Sequence, residues 1–137
     1  LETCTRDTFN DDFHYSIHAI LKIAQQMVST LHHLHICKVS HGDVYAHNTM
    51  INKDADVLFG DFGAATNLAM LSDYQQKQIE LIEVRALGCL IEDLLGTVTG
   101  DDRQSELFVK MSDMAKCAMQ PTLNQRPTFT ELLAELK

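Results

Sequence analysis

The run HGDVYAHN, His41 to Asn48, sets an aspartate and an asparagine in one short polar stretch, and a second acid, Asp61, follows in GDFG. The two acids, Asp43 and Asp61, flank one small β element with Asn48 at its entry, an arrangement that would set all three oxygens around a divalent cation and a phosphate. Oxygen ligands of this kind suit Mg²⁺.

Such groups must be held by regular elements on either side. Ile17, Ile20, Leu21, Ala24, Met27, Val28, Leu31 and Leu34 recur at helical spacing and predict a long amphipathic helix over 16–36, ahead of the loop 41–48. TMIN and VLFGD, separated by KDAD, read as two short strands about a turn favoured by its aspartates, a hairpin over 49–60. The hairpin runs straight into the turn 61–63. A second helix is expected over 75–96, and its half ALGCLIEDLL is apolar on most faces, as a centrally buried helix would be. GTVTGDD interrupts the pattern, with Asp101 and Asp102 read as solvated loop residues. Leu107, Phe108, Met111, Met114, Ala115, Ala118 and Met119 then mark a helix over 105–119 that Pro121 ends. A Thr128-x-x-Glu131 capping box opens the last helix, 128–137. The fold class is mainly α with a small β-hairpin, in a single domain over 1–137.

Bulk properties narrow the function classes. The 137 residues are 45% hydrophobic and 22% charged, enough for one core. A formal net charge of −8, with no run of Lys or Arg, excludes a broad nucleic-acid footprint. The longest apolar stretch, Ala86 to Leu95, is interrupted by Gly88, Glu92 and Asp93, so no membrane span is expected. Leu1 to Asn10 do not form a signal peptide. Cys4, Cys37, Cys89 and Cys117 form no CxxC pair, which fits buried thiols in a reducing cytoplasm. The acidic pair Asp11-Asp12 and the histidines of HHLH, His32 to His35, read as solvated or helix-end groups.

Taken together, HGD…N, the hairpin and DFG resemble the protein-kinase fold, whose catalytic loop H-R-D-x-x-x-x-N and metal-binding D-F-G occur in this order. VRALGCLIEDLL is similar to the central helix of the kinase C-lobe, and QRPTFTELL to its closing helix. The kinase-like domains of bacterial leucine-rich-repeat proteins, with an HGD-type loop and a shortened activation segment, are the nearest resemblance. It implies a C-terminal lobe whose N-lobe, with its Gly-rich loop and strand lysine, lies outside this sequence. It also implies ATP and Mg²⁺ as cofactors, and a hydroxyl-bearing protein or small molecule as acceptor. Asp43 would act on the acceptor hydroxyl, Asn48 and Asp61 would hold the metal, and Met50 would floor the adenine site. His41 and Phe62 would pack the loop against the metal-binding turn. Glu83 stands where kinases carry an aspartate that accepts catalytic-loop N–H groups. Arg126, whose usual glutamate partner is absent, would pair with Glu80 or Glu83.

The departures from the family pattern matter as well. Gly42 replaces an arginine that reads an activation-loop phosphate, so phosphorylation at Thr66, Ser72 or Tyr74 finds no local cation. Tyr45 occupies the place of a lysine near the transferred phosphoryl group. Three functions follow: the C-lobe of an ATP-dependent protein kinase, inactive in isolation; a pseudokinase-type scaffold; or a phosphotransferase for small molecules of the aminoglycoside or choline type. The face that an N-lobe would cover is expected to be apolar and prone to self-association.

Overall fold

The computed structural model describes residues 2–3 and 14–137. Cys4 and the Asp11-Asp12 pair lie outside the described residues. Helix α1 (Ile17–Ile36) begins where Ser16, still extended, accepts the Ala19 N–H on its side chain at 3.2 Å. Its buried stripe is Ile17, Ile20, Ile23, Ala24, Met27, Val28 and Leu31. A left-handed residue, Lys38, with φ of 61°, turns the chain into β2 (Val39–Ser40). The loop 41–48 follows and closes in a 3-10 turn, Ala46–Asn48.

β3 (Thr49–Ile51) and β4 (Val57–Phe59) form the hairpin, antiparallel, with Thr49 opposite Phe59 and Ile51 opposite Val57. A further strand, β1 (Glu2–Thr3), pairs antiparallel on the other side of β3, so the sheet order is β1-β3-β4. The aspartates of KDAD do not organise the turn. Asn52 does: its side-chain oxygen accepts the N–H groups of Asp54 and Asp56, both at 2.9 Å, and its amide donates to the Asp56 carboxylate. β5 (Thr66–Asn67) then returns to pair with β2.

Helix α2 (Asp73–Leu95) starts before residue 75, because Ser72 and Gln75 form a capping box ahead of the apolar pattern. Its first turns are solvated. Its second half carries the core: Val84, Leu87, Ile91 and Leu94 are fully enclosed between α1 and the helices that follow. α3 (Glu106–Ala118) packs on α2 so closely that a Cβ on Gly88 would stand 2.9 Å from Ala118 Cβ. α4 (Phe129–Glu135), capped by Thr128 and Glu131, lies against α1, where Gln25 donates to the Leu136 carbonyl. The mainly helical architecture with small sheets is thus the observed one.

Three expectations for polar groups change. Asp102 is not merely solvated: its carboxylate accepts the Ile17 N–H at 3.0 Å, at the end of α1 where unpaired N–H groups favour an anion. Cys37 and Cys117 are exposed and Cys89 is half-buried, so the described cysteines are not uniformly core thiols. Arg126 has no carboxylate partner among the described residues. It donates instead to the carbonyls of Gln120 at 2.7 Å and Leu81 at 3.0 Å. One Glu80 oxygen accepts the Phe129 N–H that opens α4, and the Glu83 oxygens accept the Gly42 N–H and the His35 ring N–H. No described helix is long and apolar enough to cross a membrane.

Candidate active site

The loop 41–48 is fixed from below. His41 is wholly buried and bonds at both ring nitrogens: Nε2–H donates to the Gly60 carbonyl at 2.8 Å, and Nδ1 accepts the Asp43 N–H at 3.3 Å. Those partners set its neutral tautomer. Its ring stacks on Phe59 with centroids 4.1 Å apart and meets Phe62 edge-on at 4.8 Å. One imidazole therefore joins the loop, the second hairpin strand and the GDFG turn.

Glu83, buried on α2, supplies the second anchor. One oxygen accepts the Gly42 N–H at 2.5 Å, and the other accepts His35 Nε2–H at the same distance. Both side chains are nearly enclosed, His35 at 10% exposure and Glu83 at 5%, and the His35 ring rests 5.4 Å from that of Phe129. His35 is thus not a solvated helix-end group. The sequence carried a signal for it, since residues 24, 28, 31 and 35 continue one face of α1 inward.

Gly42 has φ of 81°, and a Cβ there would stand 2.3 Å from the Ala64 carbonyl oxygen. The place where kinases carry an arginine is therefore closed by the segment that follows GDFG. Only glycine meets both conditions.

On this base the predicted site residues take these positions. Asp43 is exposed at the loop surface. Asn48 reaches back to it, its amide nitrogen donating to the Asp43 carboxylate at 2.8 Å and to the Asp43 carbonyl at 3.0 Å. With the nitrogen committed to two acceptors, Asn48 Oδ1 has no hydrogen-bond donor among the described residues. The Asn48 carbonyl accepts the Gly60 N–H at 3.1 Å, which brings it beside the start of GDFG. Asp61 is exposed in a left-handed conformation, φ 56°, and one of its oxygens caps the Gly63 N–H at 3.2 Å. Its other oxygen is uncommitted among the described residues. Met50 sits half-buried on β3 opposite Leu58. By donor type, Asn48 Oδ1 and the second Asp61 oxygen are the two uncommitted oxygens here that a divalent cation carrying phosphates could take. Among the described residues no three His, Cys, Asp or Glu side chains gather into a metal cluster of their own.

A family model described as the protein kinase domain matches residues 1–81. No curated protein matches the sequence. Among solved structures, the chain is similar to one reported as a divergent kinase, lacking the glycine-rich loop, that regulates membrane ultrastructure of the Toxoplasma parasitophorous vacuole. The TM-score is 0.68 at 16% identity, over 85% of this chain and 41% of that one. The present chain thus corresponds to less than half of the matched protein's length.

Proposed function

Because the chain belongs to the protein kinase domain family, we propose that it forms the acceptor-activating and metal-holding part of an ATP-dependent phosphotransferase. The transfer would carry the γ-phosphoryl group of ATP to a hydroxyl acceptor. The observation that carries this reading is the Asn48 amide, whose nitrogen fixes the Asp43 carboxylate while its oxygen has no donor among the described residues, in a residue whose backbone carbonyl accepts the Gly60 N–H. In this reading Asp43 orients the acceptor hydroxyl and takes its proton. Asn48 and Asp61 hold Mg²⁺, which supplies charge neutralisation on the phosphates. Met50 forms the floor beneath the adenine. The half-exposed Leu58 and Phe62 fit a face that an N-lobe, or a second copy, would cover. The brevity of the segment from Ala64 to Leu71 supports nearness to the kinase-like domains of leucine-rich-repeat proteins, in a cytoplasmic setting.

One observation favours a second reading, a pseudokinase-type scaffold. Tyr45 is 55% exposed and lies against the His47 ring at 5.2 Å, so the position that usually offers a fixed cation offers an aromatic face. Losing one such transition-state contact costs roughly 3–4 kcal/mol in enzymes where it has been removed.

The two readings separate in the complete protein, by Mg²⁺-dependent nucleotide affinity and ATP consumption for wild type, Asp43→Asn and Asp61→Asn. In an enzyme Asp43→Asn keeps nucleotide affinity and loses turnover, because the amide cannot take the proton. Asp61→Asn weakens the Mg²⁺-dependent affinity itself. Equal turnover in wild type and Asp43→Asn would remove Asp43 from the chemistry. Undetectable turnover in wild type would favour the scaffold.

A further inference from the structure

We propose that His35 is a positioning residue for the loop 41–48, acting on Asp43 through Glu83 and the Gly42 N–H. The proposal rests on the reading of Asp43 as the group that orients an acceptor hydroxyl. Glu83 stands where kinases carry an aspartate, and its extra methylene adds a torsion that a single bond to Gly42 would leave free. His35 removes that freedom. Its Nε2–H donates to one Glu83 oxygen at 2.5 Å while the other oxygen accepts the Gly42 N–H at 2.5 Å, so the carboxylate is held from both sides. The imidazole is fixed in turn. It projects from the last turn of α1, is nearly enclosed, and lies 5.4 Å from the ring of Phe129, which is wholly buried in α4.

The effect is directed at Asp43. Gly42 precedes it in the chain with φ of 81°, so the Gly42 peptide sets the direction from which the backbone enters Asp43. The Asp43 N–H itself makes a longer bond, 3.3 Å to His41 Nδ1. Asn48 fixes the Asp43 carboxylate and carbonyl, and Glu83 with His35 fixes the peptide before them. The side-chain bonds of Asn48 and Asp61 involve neither His35 nor Glu83. Loss of His35 therefore reaches turnover without reaching Mg²⁺-dependent nucleotide affinity.

The test compares the complete protein as wild type, His35→Leu and His35→Gln by turnover, Mg²⁺-dependent nucleotide affinity and hydrogen exchange resolved at the Gly42 amide. Leucine keeps apolar bulk beside Phe129 but donates nothing, while glutamine keeps a donor nitrogen at about the reach of Nε2. His35→Leu is expected to lose about tenfold in turnover at unchanged nucleotide affinity, with faster exchange at Gly42. His35→Gln is expected to restore both to near wild type. Should His35→Leu fail to fold, Glu83→Gln takes its place with the same expected result, because its amide nitrogen cannot accept from the second donor. Gly42 exchange that is equally slow in all forms would overturn the proposal. So would a His35→Leu that keeps turnover, or one that loses nucleotide affinity alongside it. A wild type without turnover would remove the reading of Asp43, and the positioning role with it, and is told apart by Gly42 exchange that still follows His35.

Discussion

The loop 41–48 and the segment 61–72 that follows the hairpin are neighbours held in different ways. From His41 to Ile51 the chain is anchored by buried groups at intervals: His41 to Gly60, Gly42 to Glu83, and Thr49, fully enclosed, to the Tyr45 carbonyl. From Asp61 to Ser72 one residue, Leu68, is buried, at 1% exposure, while Met70 is 92% exposed. The loop is fixed by buried polar bonds to the hairpin and to α2, while the segment is held by one buried apolar side chain, a two-residue ladder, the Phe62–His41 ring contact and backbone bonds such as Leu68 N–H to the Lys38 carbonyl. The residues proposed to meet the reacting groups therefore owe their geometry to α1 and α2 rather than to an ordered peptide platform.

The contrast breaks most severely at Glu83. Glu83→Ala strands the Gly42 N–H and the His35 ring without their acceptor, and is expected to cost about 3–5 kcal/mol, read as a lower denaturation midpoint. A midpoint close to wild type would mean that water replaces the carboxylate. Leu68→Ala attacks the other region. It should cost about 2–4 kcal/mol if its pocket stays open, and in hydrogen exchange should loosen residues 64–71 while leaving 41–51 protected. Equal loosening of both stretches would show that the two regions are one cooperative unit. Arg126→Met removes two charge-assisted bonds to carbonyls rather than an ion pair. The expected loss is smaller, about 2 kcal/mol, and, because no carboxylate is involved, should stay constant as salt is raised in chemical denaturation.

The smallest effect is on the acid limb of stability. Glu131 is held below the ordinary carboxylate range by the Thr128 N–H first and the Thr128 hydroxyl second. Asp56 is lowered likewise by its hydrogen bonds to Lys22 and then Asn52. A lowered folded-state value means the contribution is fully present above the ordinary carboxylate pKa and fades as pH falls through the lowered one. Melting temperature followed against pH should therefore fall on the acid side, and Glu131→Gln should make that fall slightly shallower. An identical acid limb in the variant would assign it to other carboxylates.

What the sequence made legible were the features that repeat or cap. The stripe from Ile17 to Leu34 marks α1, and Thr128 with Glu131 marks α4. The polar run and GDFG single out Asp43, Asn48 and Asp61 because their spacing is unusual for surface loops. Less legible were contacts decided by competition across the fold. Arg126 could be paired on paper with Glu80 or Glu83, but those carboxylates accept the backbone N–H groups of Phe129 and Gly42. Gly42 read as a lost arginine, while its φ of 81° and the Ala64 carbonyl show a glycine the backbone requires. The start of α2 was missed because Ser72 and Gln75 cap a stretch with little apolar pattern. For Arg126 and Gly42 the deciding partner is a backbone group, which sequence does not display, whereas Ser72-x-x-Gln75 is a capping signature that the sequence does carry.

The anchoring of Gly42 on Glu83 also bears on the order in which this region can form. During synthesis the loop leaves the ribosome well before the helix that holds it, and the Phe129 ring that backs His35 comes later still. α1 and the hairpin can gather from local contacts, but the geometry around Asp43 must wait for distant chain to return. Completion of the site is thus a late folding event, coupled to docking of α2 and then of α4.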